Sequence, residues 1–394
     1  MPYTVKQISD VHLKVILHRL STVGDRPLVA IGTPSTDGQM HSYIYDNIFD
    51  LGNKYDETTQ VYRVANNAWD VDEFQGKEIE IIEYPQGAFT VKPPINLDDI
   101  KQEASANSNG DVSLSSSSAN NTTGTAKQTA SSAGTQRPGV AYAFANHLYD
   151  GFMFATLAGA AAQPTAQDYF DLSDMLYDNQ RVALVGQTTD LKDIYNAYQH
   201  VQGYQTDDAK LGNFAMVWEP NSKKFPVGSM LGYAASNWPV DFKHIGNLDD
   251  FDVPDGLTQD TIDVLDQING MTIEQTANDY MVSSGKALAG NYLDQFVNTQ
   301  YAVDAYQFTL QNFLNHKKFG YTQGEIDLME VALKETDGQL LAKRVLYQPS
   351  DITAQKRADV SNTDVSEREY NGFKIKAQIN DDIETINGII DMTV

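Results

Sequence analysis

The sequence predicts a mixed chain, α/β and α+β. It has a small N-terminal unit, a mostly parallel βαβαβ core, and a helical C-terminal region ending in amphipathic strands. Three observations carry this reading. From Phe152 to Trp218, apolar strand-like runs alternate with amphipathic helical segments, and that alternation implies a parallel sheet covered by helices. The following third repeats its apolar residues at helical spacing. At the end, Phe373, Ile375, Ala377 and Ile379 alternate with Lys374, Lys376, Gln378 and Asn380, the period of a half-buried strand.

The elements follow in order. Residues 1–20 read as an N-terminal arm. His12, Lys14 and Ile16 alternate there with Val11, Leu13, Val15 and Leu17, and Val5 and Ile8 add apolar positions. Residues 21–92 read as a small α+β domain. Its strands are Leu28 to Gly32, an apolar run closed by glycine, and Ile79 to Ile82.

Residues 93–136 then change composition and read as an exposed linker or insertion rich in Ser, Thr and Asn. Between Lys101 and Gln136 the only large apolar residues are Val112 and Leu114, too few to bury a core. Pro93-Pro94 and Pro138-Gly139 bracket the tract. Asn120 and Asn121 begin glycosylation-type tripeptides, but the opening MPYTVKQISD lacks the basic and apolar parts of a secretion signal.

Residues 137–257 form the expected α/β core. Phe152 to Leu157 is a strand. Thr165 to Asp168 is a capping box opening a helix with Tyr169, Leu172 and Leu176 on one face. Val182 to Val185 is a buried strand. Asp190 caps a helix striped by Leu191, Ile194, Tyr195, Tyr198 and Val201, and Phe214 to Trp218 is the third strand.

Residues 258–372 read as a helical C-terminal domain. A short helix spans Thr258 to Ile268. A long one runs from Asn291 to Leu314, striped by Leu293, Phe296, Val297, Val303, Tyr306, Leu310, Phe313 and Leu314. Thr322 to Glu325 boxes a third helix, with Gly338 as its expected stop. Its stripe is Ile326, Met329 and Leu333, and Asp327, Glu330, Lys334 and Glu335 lie off it.

Residues 373–394 close the chain as a strand pair or arm. After a turn at Asn380-Asp381-Asp382, a second run carries Ile383, Ile386, Ile390, Met392 and Val394. Two strands at a chain end are marginal alone. They either close the chain's own sheet or add to a neighbour's.

Composition bounds the function. The 394 residues, 41% hydrophobic, suffice for a large core in two or three domains. Absence of cysteine excludes disulfides and thiolate chemistry. A net charge of -25 argues against nucleic-acid binding. No apolar run approaches a membrane span, so no membrane insertion is expected.

Candidate chemistry is sparse. The seven histidines show no i, i+4 pair and no HExxH motif. Gly228-Ser-Met-Leu-Gly232 misses the nucleophile-elbow pattern by one place. The acidic run Asp249 to Asp266 begins like a calcium loop at Asp250 and Asp252, then fails at Pro254, Asp255 and Thr261. It reads as a solvated acidic face, an intersubunit charge patch or a divalent-ion site. Tyr301, Tyr306, Phe308 and Phe313 on the long helix suit core packing better than a ligand. No catalytic residue, cofactor or metal site is expected.

One resemblance emerges from several short motifs in order. Asn278-Asp-Tyr280 is followed by Gly285-Lys-Ala-Leu-Ala-Gly290, then Asn291-Tyr-Leu-Asp294, a long helix, Tyr321-Thr322 and Glu325-Ile326. Later come Val345-Leu-Tyr-Gln-Pro-Ser-Asp351, Lys356-Arg357-Ala358 and Gly372-Phe-Lys-Ile-Lys-Ala377. This succession resembles the contractile phage tail sheath family. The match covers residues 137 to 394 and is looser over 20 to 90, around VAIGTP. The serine-rich tract has no counterpart. The resemblance implies a structural subunit in the virion's tail sheath, assembled in the host cytoplasm. Such a subunit polymerises helically with itself around a tail tube, meets baseplate and tail-terminator proteins, and contracts to drive the tube through an envelope. It also implies that terminal arms add strands to neighbouring subunits and that the C-terminal region faces the tube. Asp327, Glu330, Lys334 and Glu335 are thereby tube-facing candidates. The alternatives are a tube or baseplate component of a contractile device, or a soluble α/β enzyme using carboxylates of the Asp249–Asp266 region.

Overall fold

The structure, a computed structural model, describes residues 29–91, 135–148, 150–206, 210–316, 320, 322–367, 370 and 372–380. Apolar runs between turn residues build its main sheet. β1 (Val29–Pro34), β3 (Ile79–Tyr84), β6 (Phe154–Leu157), β7 (Ala183–Thr188) and β8 (Phe214–Trp218) run parallel, and β2 (His41–Tyr45) pairs antiparallel with β3. The order is β2-β3-β1-β6-β7-β8. The expected mixed α/β class with a mostly parallel sheet is therefore present. The N-terminal unit is not a separate layer, however. β1 lies between β3 and β6, so its strands belong to the core sheet. Backbone pairing across that boundary buries Val29, Ile31, Ile79 and Phe154 in one core.

Six helices flank the sheet: α1 (Ile48–Gly52), α2 (Gln60–Trp69), α3 (Gly139–His147), α4 (Ala166–Asn179), α5 (Leu191–Val201) and α6 (Pro226–Ser236). Alternation along the strands sends Ile31, Phe154, Val185 and Val217 to one face, against α2 and α6. Ala30, Ala155, Leu184 and Met216 face α3, α4 and α5. The capping box at Thr165 is formed: its hydroxyl oxygen accepts from Asp168 N, and the Asp168 carboxylate accepts from Thr165 N at 2.8 Å. Asp190 caps α5 as expected. Tyr195 does not join the buried stripe of α5 and is half exposed. Ile194, Ala197 and Val201 supply that stripe.

The Gly228 motif lies in α6, where Ser229 is buried and donates to the Asn67 carbonyl at 3.2 Å. The two glycines let α6 meet α2. A Cβ on Gly228 would lie 2.3 Å from the Val64 carbonyl oxygen, and one on Gly232 would lie 2.6 Å from that of Ala68.

After α7 (Gln259–Gln267), residues near Met271 seal the β8 edge. Met271 N donates to Met216 O, and Trp218 N donates to Met271 O. A hairpin of β9 (Ile273–Thr276) and β10 (Asp279–Val282) follows. α8 (Leu293–His316) then leaves the first core, which holds Leu293, Phe296 and Val297. It enters a second core with Ala302, Tyr306 and Leu310. Val303 sits off that stripe and is exposed. α9 (Gln323–Ala342) packs beside it through Ile326, Met329, Leu333 and Leu340. β11 (Asp351–Ala354), α10 (Asn362–Glu367) and β12 (Phe373–Lys376) complete this part.

Gly338 does not stop α9. The helix continues because Asp337 and Leu340 are buried. It ends at Ala342, and Arg344 just beyond it takes a left-handed φ of 60°. Val345 N then bonds Leu340 O, and Arg344 N bonds Leu341 O, so the last carbonyls are satisfied. No described helix is long and apolar enough to cross a membrane.

Candidate assembly surfaces

The second core presents a two-stranded antiparallel ribbon. β11 and β12 pair Ile352 with Ile375, Ala354 with Phe373, and Asp351 with Lys376. The ladder extends beyond the strands. Tyr347 N donates to Gln378 O, Asn380 N donates to Val345 O, and Leu346 bridges Ile379. Phe373, Ile375 and Ile379 are half-buried against the second core. Lys374, Lys376 and Ala377 are exposed. The predicted alternation therefore holds at Phe373 and Ile375, and Ala377 departs from it where the strand has ended. Among the described residues no third strand joins this ribbon, and strand edges of this kind can take up an added strand.

The ribbon is bolted to the helices through Asp337. Its Oδ1 accepts from the Tyr306 hydroxyl at 2.6 Å, and Ser350 N donates to its Oδ2 at 3.1 Å. Burial and the Asp337 carboxylate push the Tyr306 phenol above its ordinary range. Arg181 and Asp304 pair at 3.0 Å, tying α8 to the sheet domain.

Thr322 caps α9, and the Glu325 carboxylate accepts from Gly320 N and from the Thr322 hydroxyl, each at 2.8 Å. Those bonds, led by Gly320, hold the Glu325 carboxyl below its usual range. Asp327, Lys334 and Glu335 are exposed. Glu330 is partly covered and accepts from Lys334 Nζ at 2.6 Å. The same outer face holds Leu328, 52% exposed, and Val331, 58% exposed. Gly324 and Gly338 continue that row with open space around them. Sequence reasoning missed this apolar row. Its signal was present: Gly324, Leu328, Val331, Glu335 and Gly338 recur at spacings of three and four on the side away from Ile326 and Leu333.

Among the described residues β2 pairs on one side only, and it carries exposed Ile44, while Phe49, 83% exposed, lies on α1. The arm candidates Val5, Ile8, Leu13, Val15, Ile383, Ile386, Ile390, Met392 and Val394 lie outside the described residues.

The acidic run is not gathered into one site. Asp252 pairs with Lys224, Asp250 accepts from Asn67 at 2.9 Å, and Asp263 accepts from Gln259 on α7. Burial raises the Asp250 carboxyl. Three of the four aromatics of α8 join the second core, Tyr306 buried in it and Tyr301 and Phe313 packed against it, whereas Phe308 is exposed; the Tyr301 hydroxyl also accepts from Lys343. A cavity of about 250 Å³ opens at the carboxyl ends of β6 to β8, where parallel sheets commonly bind ligands. Its single carboxylate, Asp193, accepts from the Thr188 hydroxyl at 2.8 Å.

No family model matches the sequence, and no curated protein matches it. Solved structures do match the fold. A chain of the anti-feeding prophage baseplate aligns with a TM-score of 0.56 at 10% identity, covering 96% of this chain and 98% of that one. A chain of the PVC sheath complex, an extracellular contractile injection system in its contracted state, gives 0.56 at 10% identity, with 96% of each chain covered. A chain of the contracted anti-feeding prophage helical sheath gives 0.51 at 10% identity over 99% of both. The shared fold thus runs nearly end to end.

Proposed function

We propose that this chain is a structural subunit of a contractile tail sheath. The observation that carries the reading is the end-to-end likeness to a chain of the PVC sheath complex. An unrelated enzyme sharing only the parallel sheet would not match the helical region and the terminal ribbon as well. The ribbon supplies the attachment chemistry. Its open edges accept added strands through main-chain hydrogen bonds, and the amphipathic run from Ile383 to Val394 is the donor segment. Copies joined in this way form a helical homopolymer around a tail tube, between baseplate and terminator, within a virion tail assembled in the host cytoplasm. Asp327, Glu330, Lys334 and Glu335 on α9 face the tube in this arrangement. Catalysis plays no part in it.

Electron microscopy of the purified chain tests the proposal. Long tubular polymers are expected. Removing residues 383–394 should leave the far-ultraviolet spectrum intact and abolish the tubes. Small closed oligomers from the full chain would refute a sheath. A second reading, a place in the baseplate, follows from the likeness to a baseplate chain, and rings without tubes would favour it.

A further inference from the structure

A side-chain cluster lies on the α3 side of the sheet. Glu80 on β3 is only 1% exposed, on the face where Ile82 and Tyr84 are buried. Its Oε1 accepts from the Ser42 hydroxyl at 2.5 Å, and its Oε2 has no partner. His147, the last residue of α3, places Nδ1 2.9 Å from Glu80 Oε1 and 2.7 Å from Asp150 Oδ2. Two carboxylate oxygens therefore converge on one nitrogen. A protonated Nδ1 has a single hydrogen and cannot make a straight bond to both.

We propose that Glu80, His147 and Asp150 form a binding site for a divalent transition-metal ion of the zinc class. The three donor atoms lie within 4.8 Å of one another. One imidazole nitrogen with two carboxylate oxygens suits zinc or its neighbours, whereas calcium and magnesium take oxygen donors. Bonds of about 2.0–2.1 Å set tetrahedral donors about 3.3 Å apart. The pairs at 2.7 and 2.9 Å must open by about half an ångström. Asp150, 42% exposed in the loop leading to β6, supplies that movement and the entry path. Bound through Oε1, the ion supplies the positive charge that a carboxylate so deeply buried requires. It would staple β3, the end of α3 and the following loop, so its binding free energy adds to folding. The competing occupant is a proton, which makes the cluster an imidazolium held by two carboxylates.

The test uses the full chain and Co²⁺ alone as a spectroscopic probe. Any cation is drawn to a chain of net charge -25, so stoichiometry and ligand-field absorption decide. One saturable equivalent with visible d–d bands is expected, and Zn²⁺ should displace the cobalt and raise the Tm. Asp150→Asn, at an exposed position that does not endanger folding, should weaken binding by at least about tenfold. Glu80→Gln and His147→Gln should abolish the bands. His200→Gln, at a separate pair with Asp174, should leave them unchanged. Wild-type protein without d–d bands, or equal affinity in Asp150→Asn and wild type, would overturn the proposal and leave an imidazolium ion pair.

Discussion

Gly228→Ala and Gly338→Ala are the same substitution with opposite expected signs. Both residues lie within helices, so both changes gain about 1 kcal/mol of helix propensity. The surroundings decide the rest. At Gly228 the new Cβ would sit 2.3 Å from the Val64 carbonyl oxygen, well under the 3.0 Å that real Cβ atoms respect. The obstacle is backbone, so α6 must retreat from α2 by roughly 0.5–1 Å, a gap that forfeits about a quarter to a half of each dispersion contact. The contacts at stake join Val61, Val64, Ala65 and Ala68 to Val227, Met230 and Leu231, all buried. Overpacking of this kind costs about 1–3 kcal/mol. After the propensity gain, a net loss of about 0–2 kcal/mol remains. At Gly338 nothing lies within 4 Å of the new Cβ, and the isolated subunit should gain about 0.5–1 kcal/mol. Urea unfolding followed by circular dichroism reads both as shifts of the midpoint. A rise for Gly228→Ala would show that the two helices are not in close contact and refute the packing described for that face.

Five further outcomes are expected. Val91 and Thr135 are register partners of β4 (Ala88–Val91) and β5 (Thr135–Pro138), so replacing residues 92–134 with a short hairpin turn should leave the unfolding midpoint unchanged; a lower midpoint would give that tract a structural role. Tyr306→Phe removes the donor to buried Asp337 and should cost about 1–3 kcal/mol, measured in the same urea assay. Because the Tyr306 phenol is raised in the folded chain, its contribution should be complete below pH 10 and be lost only as pH climbs through the higher folded value; a pH series of wild type against Tyr306→Phe that diverges below neutrality would contradict this. Glu330→Lys with Glu335→Lys should leave the subunit folded and weaken sheath formed on tubes while sparing tube-free polymer, as sedimentation with and without tubes would reveal; equal loss of both would place α9 between sheath subunits. With 53 acidic and 28 basic residues, raising ionic strength to about 0.15 M should promote assembly by screening repulsion, and dissolution of polymer by salt would show that ion pairs dominate the contacts.

Strands with strong apolar runs were legible, as were helices with polar caps. Thr165, Asp190 and Thr322 all cap the helices they announce. Such signals are local, so a single sequence carries them. α6 was not legible because it is apolar nearly all round and holds two glycines. Its stability comes from the Val64 and Ala68 backbone it touches, which no local pattern encodes. Gly338 misled for the converse reason. An open glycine suggests a stop, yet Asp337 is fixed by Tyr306 and Ser350 from distant segments. β2 and the β4–β5 pair escaped notice because edge strands lack the continuous apolar run of a central strand. The ribbon's period was visible, but its partner at Asp351–Ala354 was not, since only the second core brings the two together.

The proposed attachment mode explains why a fold can persist at 10% identity. The buried cores constrain hydrophobic pattern and volume more than residue identity. Strand addition draws its hydrogen bonds from the main chain, so the acceptor ribbon must keep open edges rather than particular side chains. Ribbon and sheet domain are also joined by a mechanical link. That link is α8, whose first turns are buried with Phe296 in one core and whose later turns are buried with Tyr306 in the other. A continuous helix anchored at both ends transmits displacement of the ribbon to the sheet domain instead of absorbing it. The Arg181–Asp304 pair and the Tyr306–Asp337–Ser350 hydrogen bonds brace it along its length. In the sheath proposed above, a subunit built this way would move as one body while its strand-borne attachments hold.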